Sequence, residues 1–272
     1  MKYYLITNKA TFMYEKKVRQ YPYQLFLAPL LVADPGYKQI VAEAIAAGVQ
    51  AILDNGAHEG QLISTQEYYN LIIELHPWCV VLPDLIGQRA FISRTTSLAF
   101  LDRIYRLQEL PHVMYVPQGD HEDQVVNEFI WANQHFRVGP TKALLGFGDS
   151  YKVGQKAKET AEEARLRLFY RIIQHLGSTT AHPPYFHILG TRTKGTLVFS
   201  TYNCVISTDS VDPCRNAWEQ MRKLRDPLFI PSEEDKFRLD SSSREDAVPA
   251  TLLQQTMQQL NDEYGADILS LL

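Results

Sequence analysis

Short apolar runs recur along the first 225 residues with longer amphipathic stretches between them. The runs are Tyr3–Thr7, Leu25–Ala28, Ala51–Leu53, Cys79–Leu82, Val113–Val116, Ala143–Gly146, Phe186–Leu189 and Cys204–Ser207. Each is rich in Val, Ile, Leu, Phe or Tyr, the signature of parallel strands covered on both faces. The intervening stretches carry helix signals. Gly36–Ala47 is opened by Pro35 and closed by Gly48. Ser64-Thr65-Gln66-Glu67 has the spacing of a capping box for a helix running to His76. Gln88–Gln108 carries apolar residues at Phe91, Leu98, Leu101, Ile104, Tyr105 and Leu107, expected to form a single face of a helix. Asp120–Phe136 and Glu159–Leu176 complete the set, the latter ended by Gly177. Strand–helix alternation of this kind predicts a parallel sheet with right-handed crossovers, and eight strands favour closure into a (β/α)₈ barrel over an open sheet. The segment that begins at Thr191-Arg192-Thr193-Lys194-Gly195 carries no clear helix pattern.

Beyond residue 225 the pattern changes. Pro227, Pro231, the charged run Glu233-Glu234-Asp235-Lys236 and Ser241-Ser242-Ser243 predict an irregular connection, and Thr251–Tyr264 predicts one last amphipathic helix. The expected organisation is a barrel domain over residues 1–225 and a C-terminal helical extension, 226–272, packed on it.

The total of 272 residues suits one such barrel, and a core of that size closes without disulfides. The three cysteines, Cys79, Cys204 and Cys214, are scattered and odd in number, so they imply no disulfide framework. A net charge of −4 argues against a protein that coats nucleic acid by bulk electrostatics, while leaving room for a local basic groove. No apolar stretch approaches the length of a membrane span, and the N-terminal segment is too short and polar for a signal peptide. A cytoplasmic protein is expected.

The residues that follow the runs carry the candidate chemistry. Ala51-Ile52-Leu53 leads into Asp54-Asn55-Gly56, and Val80-Val81-Leu82-Pro83 into Asp84. Met114-Tyr115-Val116-Pro117 leads into Gln118-Gly119, and Leu144-Leu145 into Gly146-Phe147-Gly148-Asp149. Ile188-Leu189 is followed by Gly190, and Val205-Ile206-Ser207-Thr208 by Asp209-Ser210. One such Asp is an ordinary turn or cap residue. Several at successive strand ends collect on the catalytic face of a barrel. No run ends in a Schiff-base lysine. His58 and His187 do not make up the histidine set of a barrel metallohydrolase, and His187 reads as a core imidazole or one that supports a functional neighbour. There is no nucleophile elbow, P-loop or dinucleotide fingerprint. What remains is carboxylate chemistry on a glycosidic bond, with one Asp as nucleophile and another as acid and base.

Taken in order, these segments resemble the tRNA-guanine transglycosylase superfamily, whose members exchange guanine in a polynucleotide for a 7-deazaguanine through a covalent Asp–ribose intermediate in a (β/α)₈ barrel. Leu53-Asp54-Asn55-Gly56-Ala57 is similar to the family's Asp-Ser-Gly-Gly-Phe segment, which implies Asp54 as general acid/base. Leu82-Pro83-Asp84 is similar to the strand end whose Asp recognises the base, and Val116-Pro117-Gln118-Gly119 to the Val-Gln-Gly-Gly segment. Leu145-Gly146-Phe147-Gly148 resembles the glycine-rich end that offers backbone groups to the base, and Ile188-Leu189-Gly190 the Leu-Met-Gly segment. Ser207-Thr208-Asp209-Ser210 stands where the family places its nucleophile, here Asp209. The resemblance spans roughly residues 25–215. It implies Asn55, Asp84, Gln118, Gly119, Gly146, Phe147 and Gly190 at the base, with Phe147 and Tyr115 as flat stacking partners or core aromatics.

Two departures shape the expectation. The family's cysteine–histidine zinc site has no counterpart, since only Cys214 follows Asp209, and no RNA-binding domain is appended. The chain is therefore similar to the reduced, zinc-less branch that modifies DNA and is associated with phage genes, with tRNA as the alternative substrate. Neither metal nor cofactor is expected. Arg89, Arg94, Lys152, Lys156, Arg192 and Lys194 lie just beyond strand ends and are candidate phosphate contacts, and a duplex substrate requires the target nucleotide to flip out. The expected partners are DNA and a free 7-deazaguanine base, with no membrane; a second copy of the chain or an accessory protein remains open. A barrel nucleoside or glycoside hydrolase, with water in place of the incoming base, is the competing enzyme class, and a barrel that serves only as a binding subunit is the non-enzymatic one.

Overall fold

The structure is a computed structural model, and it describes residues 1–57, 60, 63–86, 88–136, 143–179, 184–190, 199, 201–225 and 237–264. Eight parallel strands close into a barrel in sequence order: β1 (Lys2–Leu5), β2 (Tyr23–Leu27), β3 (Gln50–Asp54), β4 (Cys79–Val81), β5 (His112–Tyr115), β6 (Ala143–Phe147), β7 (Phe186–Ile188) and β8 (Val205–Ser210). All eight expected runs are strands. The barrel is closed by β1 against β8, where Tyr4 pairs with Asp209.

Each strand alternates between the barrel interior and the layer under the helices. Gly146 points inward: a Cβ there would meet Val116 Cγ2 at 2.8 Å, Leu189 Cδ1 at 3.1 Å and Met114 Sδ at 3.1 Å. The strand therefore needs glycine at that point to let its neighbours fill the interior. Its successor Phe147 points outward, 5.9 Å from Phe129 and 5.4 Å from Phe169, measured between ring centroids.

The helices that cover the barrel, among the described residues, are α1 (Lys9–Tyr14), α2 (Ala28–Ala33), α3 (Pro35–Ala46), α4 (Thr65–Leu75), α5 (Ala90–Ile104), α6 (Glu122–His135), α7 (Ala161–Thr179) and α8 (Asp212–Arg225). Local sequence explains their ends. Asp34 caps α3 by accepting from Tyr37 N–H at 3.0 Å, and Gly48 leaves it with φ +103°. Ser64 and Glu67 form the expected capping box on α4. α7 continues through Gly177 to Thr179 rather than stopping there. α1, α2 and α8 are additional to the helices the pattern specified.

Residues 237–264 lie against the barrel. Lys9 N–H donates to Leu239 O at 2.8 Å, Ala10 N–H to Ser241 O at 2.7 Å and Val248 N–H to Thr11 Oγ1 at 2.8 Å. The last helix, α9 (Ala250–Tyr264), packs on α8. No helix of the described residues is long and apolar enough to cross a membrane.

Candidate active site

The C-terminal ends of the strands surround a cavity of about 520 Å³, a size usual for small-ligand sites. Ile6, Leu25, Leu27, Val81, Val116 and Leu189 supply its apolar lining. Asp54, Asn55, Asp84, Gln118, Gly119, Gly190 and Asp209 all line it as well. A second concavity, about 570 Å³, lies at the opposite end around Trp78 and His112. It gathers no set of converging carboxylates, and that end of a barrel serves stability.

The cavity has two halves built from different strands. On one side, β3 to β5 hold Asp84. Asn55 Nδ2 donates to Asp84 Oδ1 at 2.9 Å and to Leu82 O at 3.1 Å, while Asn55 Oδ1 accepts from Ala57 N–H at 2.7 Å. Gln118 Nε2 donates to Asp84 Oδ2 at 2.6 Å. Asp84 is buried, with 5% of its surface exposed, so this paired amide clamp fixes the carboxylate in one orientation. Beneath them the Tyr68 hydroxyl lies 2.8 Å from both Leu53 O and Val81 O, tying together the strand ends that precede Asp54 and Asp84. Burial, and then the charge of the nearby carboxylates, raises the Tyr68 pKa well above its ordinary value, so it stays a neutral donor. Asp54 is half-buried and accepts from Gly56 N–H at 2.7 Å in a tight turn, where Gly56 has φ +78°.

On the other side, β7 and β8 hold Asp209. Its Oδ1 accepts from Gly190 N–H at 2.7 Å, and its Oδ2 is 2.8 Å from His187 Nε2. His187 Nδ1 is 2.8 Å from Ser207 Oγ. The imidazole is fully buried and Asp209 nearly so, although Asp209 reaches the cavity wall. Gly190 has φ +59°, a conformation that presents its N–H to the carboxylate and that side-chain-bearing residues rarely adopt. Between the halves, the loop after β6 acts as a brace. Asp149 pairs with Lys152 and, at 3.3 Å, with Arg165 Nη2, and Arg165 Nη1 donates to Gly190 O at 3.3 Å. Ser150 Oγ donates to Pro117 O at 2.9 Å, anchoring that loop beside Gln118.

Several expected positions fall elsewhere. Gly146 and Phe147 do not line the cavity; Gly148 does. Gly146 lies deeper in the barrel, and the Phe147 carbonyl is occupied by Leu189 N–H at 3.0 Å. Neither Phe147 nor Tyr115 offers a ring to a ligand, since both are buried in the layer under the helices. Arg94 does not face the mouth. Its Nε donates to Glu128 Oε2 at 3.0 Å, Tyr115 OH donates to the same oxygen at 3.1 Å, and the guanidinium lies 4.0 Å from the Trp131 ring centre. Lys152 lines the cavity, Arg89 and Lys156 are exposed, and Arg192 and Lys194 lie outside the described residues.

Asp149, Ser150, Val153 and Ile86 also line the cavity and were not among the expected residues. Asp149 stands at a strand end like the other acids, so the same positional signal points to it. Its partner Arg165, on α7, carries no such signal. Among the described residues, no group of three His, Cys, Asp or Glu is arranged to hold a metal ion.

Four carboxylates, Asp54, Asp84, Asp149 and Asp209, meet Lys152 in the wall of this cavity. Such a lining repels a phosphate but suits an uncharged ring that donates hydrogen bonds. No protein-family model matches the chain, and no curated protein is significantly similar to it in sequence.

Proposed function

We propose that the protein is a transglycosylase that exchanges guanine in a polynucleotide, DNA in preference to tRNA, for a 7-deazaguanine base through a covalent Asp209–sugar intermediate. One observation carries the reading. A single cavity holds two carboxylates in separate, fully built settings, Asp84 clamped by two amides and Asp209 held by a backbone N–H and an imidazole. The first setting suits recognition, because an immobilised carboxylate accepts from the ring N–H and exocyclic amine of a guanine-like edge. The second suits attack, because the bonds it accepts hold the carboxylate in one orientation at the cavity wall.

In this mechanism an Asp209 oxygen attacks the sugar C1′. The C1′–N9 bond breaks, its electron pair leaves with guanine, and Asp54 supplies the proton that N9 takes up. The incoming base loses its N9 proton to Asp54, and N9 displaces Asp209 from C1′. The lost and gained glycosidic bonds are alike, so the exchange balances without an energy source. Asn55 and Gln118 keep Asp84 aligned for both bases in turn, and the acidic lining leaves phosphates at the mouth.

The test is incubation with radiolabelled guanine and, separately, double-stranded DNA or bulk tRNA. Label entering DNA, and lost in Asp209→Ala, is expected, as is a denaturation-resistant protein–DNA adduct with the natural protein alone. Label entering only tRNA reverses the substrate. Release of free base without incorporation, or full exchange by Asp209→Ala, overturns the mechanism.

A further inference from the structure

Phe91 has 72% of its surface exposed, and Ile86 and Ile92 have 45% and 43%. These three large apolar side chains stand within positions 86–92, the loop after β4 and the first turn of α5. In a barrel that is the end that bears the cavity, and Ile86 itself lines the cavity. Gln88 N–H donates to Leu85 O at 3.3 Å, and Leu85 N–H to Ser93 Oγ at 3.1 Å, which ties Leu85 to the first turn of α5. Val153, after β6, repeats the arrangement, being 39% exposed and in the cavity wall. Apolar groups clustered at a cavity mouth mark a contact surface.

Charge selects the occupant. The sequence from Leu85 to Leu101 holds no acidic residue, and Arg89 is exposed at the start of α5. Lys152 stands beside Val153 with 57% of its side chain exposed, so a phosphate can share its ammonium with Asp149. Acid thus lines the cavity, while on the part of the rim formed by the loops after β4 and β6 Arg89 and Lys152 stand among apolar groups. This is the order that a nucleotide demands, base inward and phosphates outward. A nucleotide drawn into the cavity also leaves its neighbours unstacked, with ring faces that an aromatic side chain can cover.

We propose that this rim is a stacking platform for unpaired nucleotides flanking the one in the cavity, with Phe91 as the ring they stack on and Arg89 and Lys152 meeting their phosphates. The proposal rests on the polynucleotide reading above but does not need the exchange reaction. It is tested by fluorescence anisotropy with a labelled single-stranded oligodeoxynucleotide and its duplex at low salt, without free base. The natural protein is expected to bind the single strand more tightly than the duplex. Phe91→Ala should weaken that binding about fivefold to a hundredfold, the range for one base–aromatic stack, while Phe91→Trp retains it. Thermal melting should stay unchanged in both variants, since Phe91 packs against little. Equal binding by Phe91→Ala and the natural protein overturns the proposal, and so does a natural protein that binds neither strand, which would leave the patch to a protein partner. Phe91-dependent binding with no exchange overturns only the transglycosylase reading; normal exchange with Phe91-independent binding overturns only the rim.

Discussion

Replacing His187 with leucine removes the side chain that Asp209 Oδ2 and Ser207 Oγ both meet at 2.8 Å, and puts an apolar group of comparable size in a fully buried position. A hydrogen bond to a charged group contributes about 1.5–3 kcal/mol, and an ordinary one about 1 kcal/mol. The variant should therefore lose about 2.5–4 kcal/mol of stability. For a chain of this size, that is a fall in Tm of roughly 5–15 °C. Far-UV circular dichroism on heating measures it, and a double-mutant cycle assigns it. In an Asp209→Ala background the same replacement should cost only the Ser207 share, about 1 kcal/mol. On the mechanism proposed above, exchange should fall about tenfold to a hundredfold, because Asp209 loses one of the contacts that orient it. A His187→Leu cost that is equal in the two backgrounds refutes the claim that this imidazole holds Asp209.

Two further outcomes follow from contacts outside the cavity. Arg94→Met leaves the Glu128 carboxylate buried with Tyr115 as its remaining hydrogen-bond partner from this cluster, so urea denaturation should show a loss of about 3 kcal/mol while oligonucleotide affinity stays as it was; the reverse pattern would return Arg94 to the binding surface. Bonds from Arg167, and then from Lys156 N–H, hold the Glu159 carboxyl down to about 2. Because that folded pKa lies below the unfolded one, its contribution is present above about pH 4.5 and is lost as the pH falls through about 2. Arg167→Met should flatten the dependence of Tm on pH across that window, and an unchanged slope would show that the pair does not couple to folding.

The barrel was legible because parallel strands buried on both faces appear as unbroken apolar runs. The same feature hid α2: the run from Leu25 continues through Leu31 without a polar break, so the passage from strand to helix at Ala28-Pro29 leaves no mark. α1 is short, and α8 is dominated by its charged residues, including Arg222, Lys223 and Arg225. In the site, strand-end position was enough to place Asp54, Asp84, Gln118, Gly190 and Asp209 around one cavity. The side-chain partners were not legible. That His187 meets Asp209 follows from the register of β7 on β8, in which His187 pairs with Ser207, and a linear pattern does not contain that register. Of the two roles open to Phe147 and Tyr115, parity selects the core aromatic: with Gly146 inside the barrel, Phe147 must point outward, and Tyr115 does likewise between the interior residues Met114 and Val116.

The division of the cavity between early and late strands also sets an order of events during synthesis. Asn55, Asp84 and Gln118 belong to the consecutive elements β3 to β5, whereas Asp209 sits on the strand that must return to β1 to close the ring. That closure joins segments at opposite ends of the barrel sequence, the kind of contact whose entropic cost delays it. A growing chain on the ribosome thus possesses the strand ends that clamp Asp84 long before it possesses Asp209. Asp209 meets Gly190 N–H and His187 only when β7 and β8 are in register, so, on the function proposed above, the site is completed last, when the whole barrel has been made.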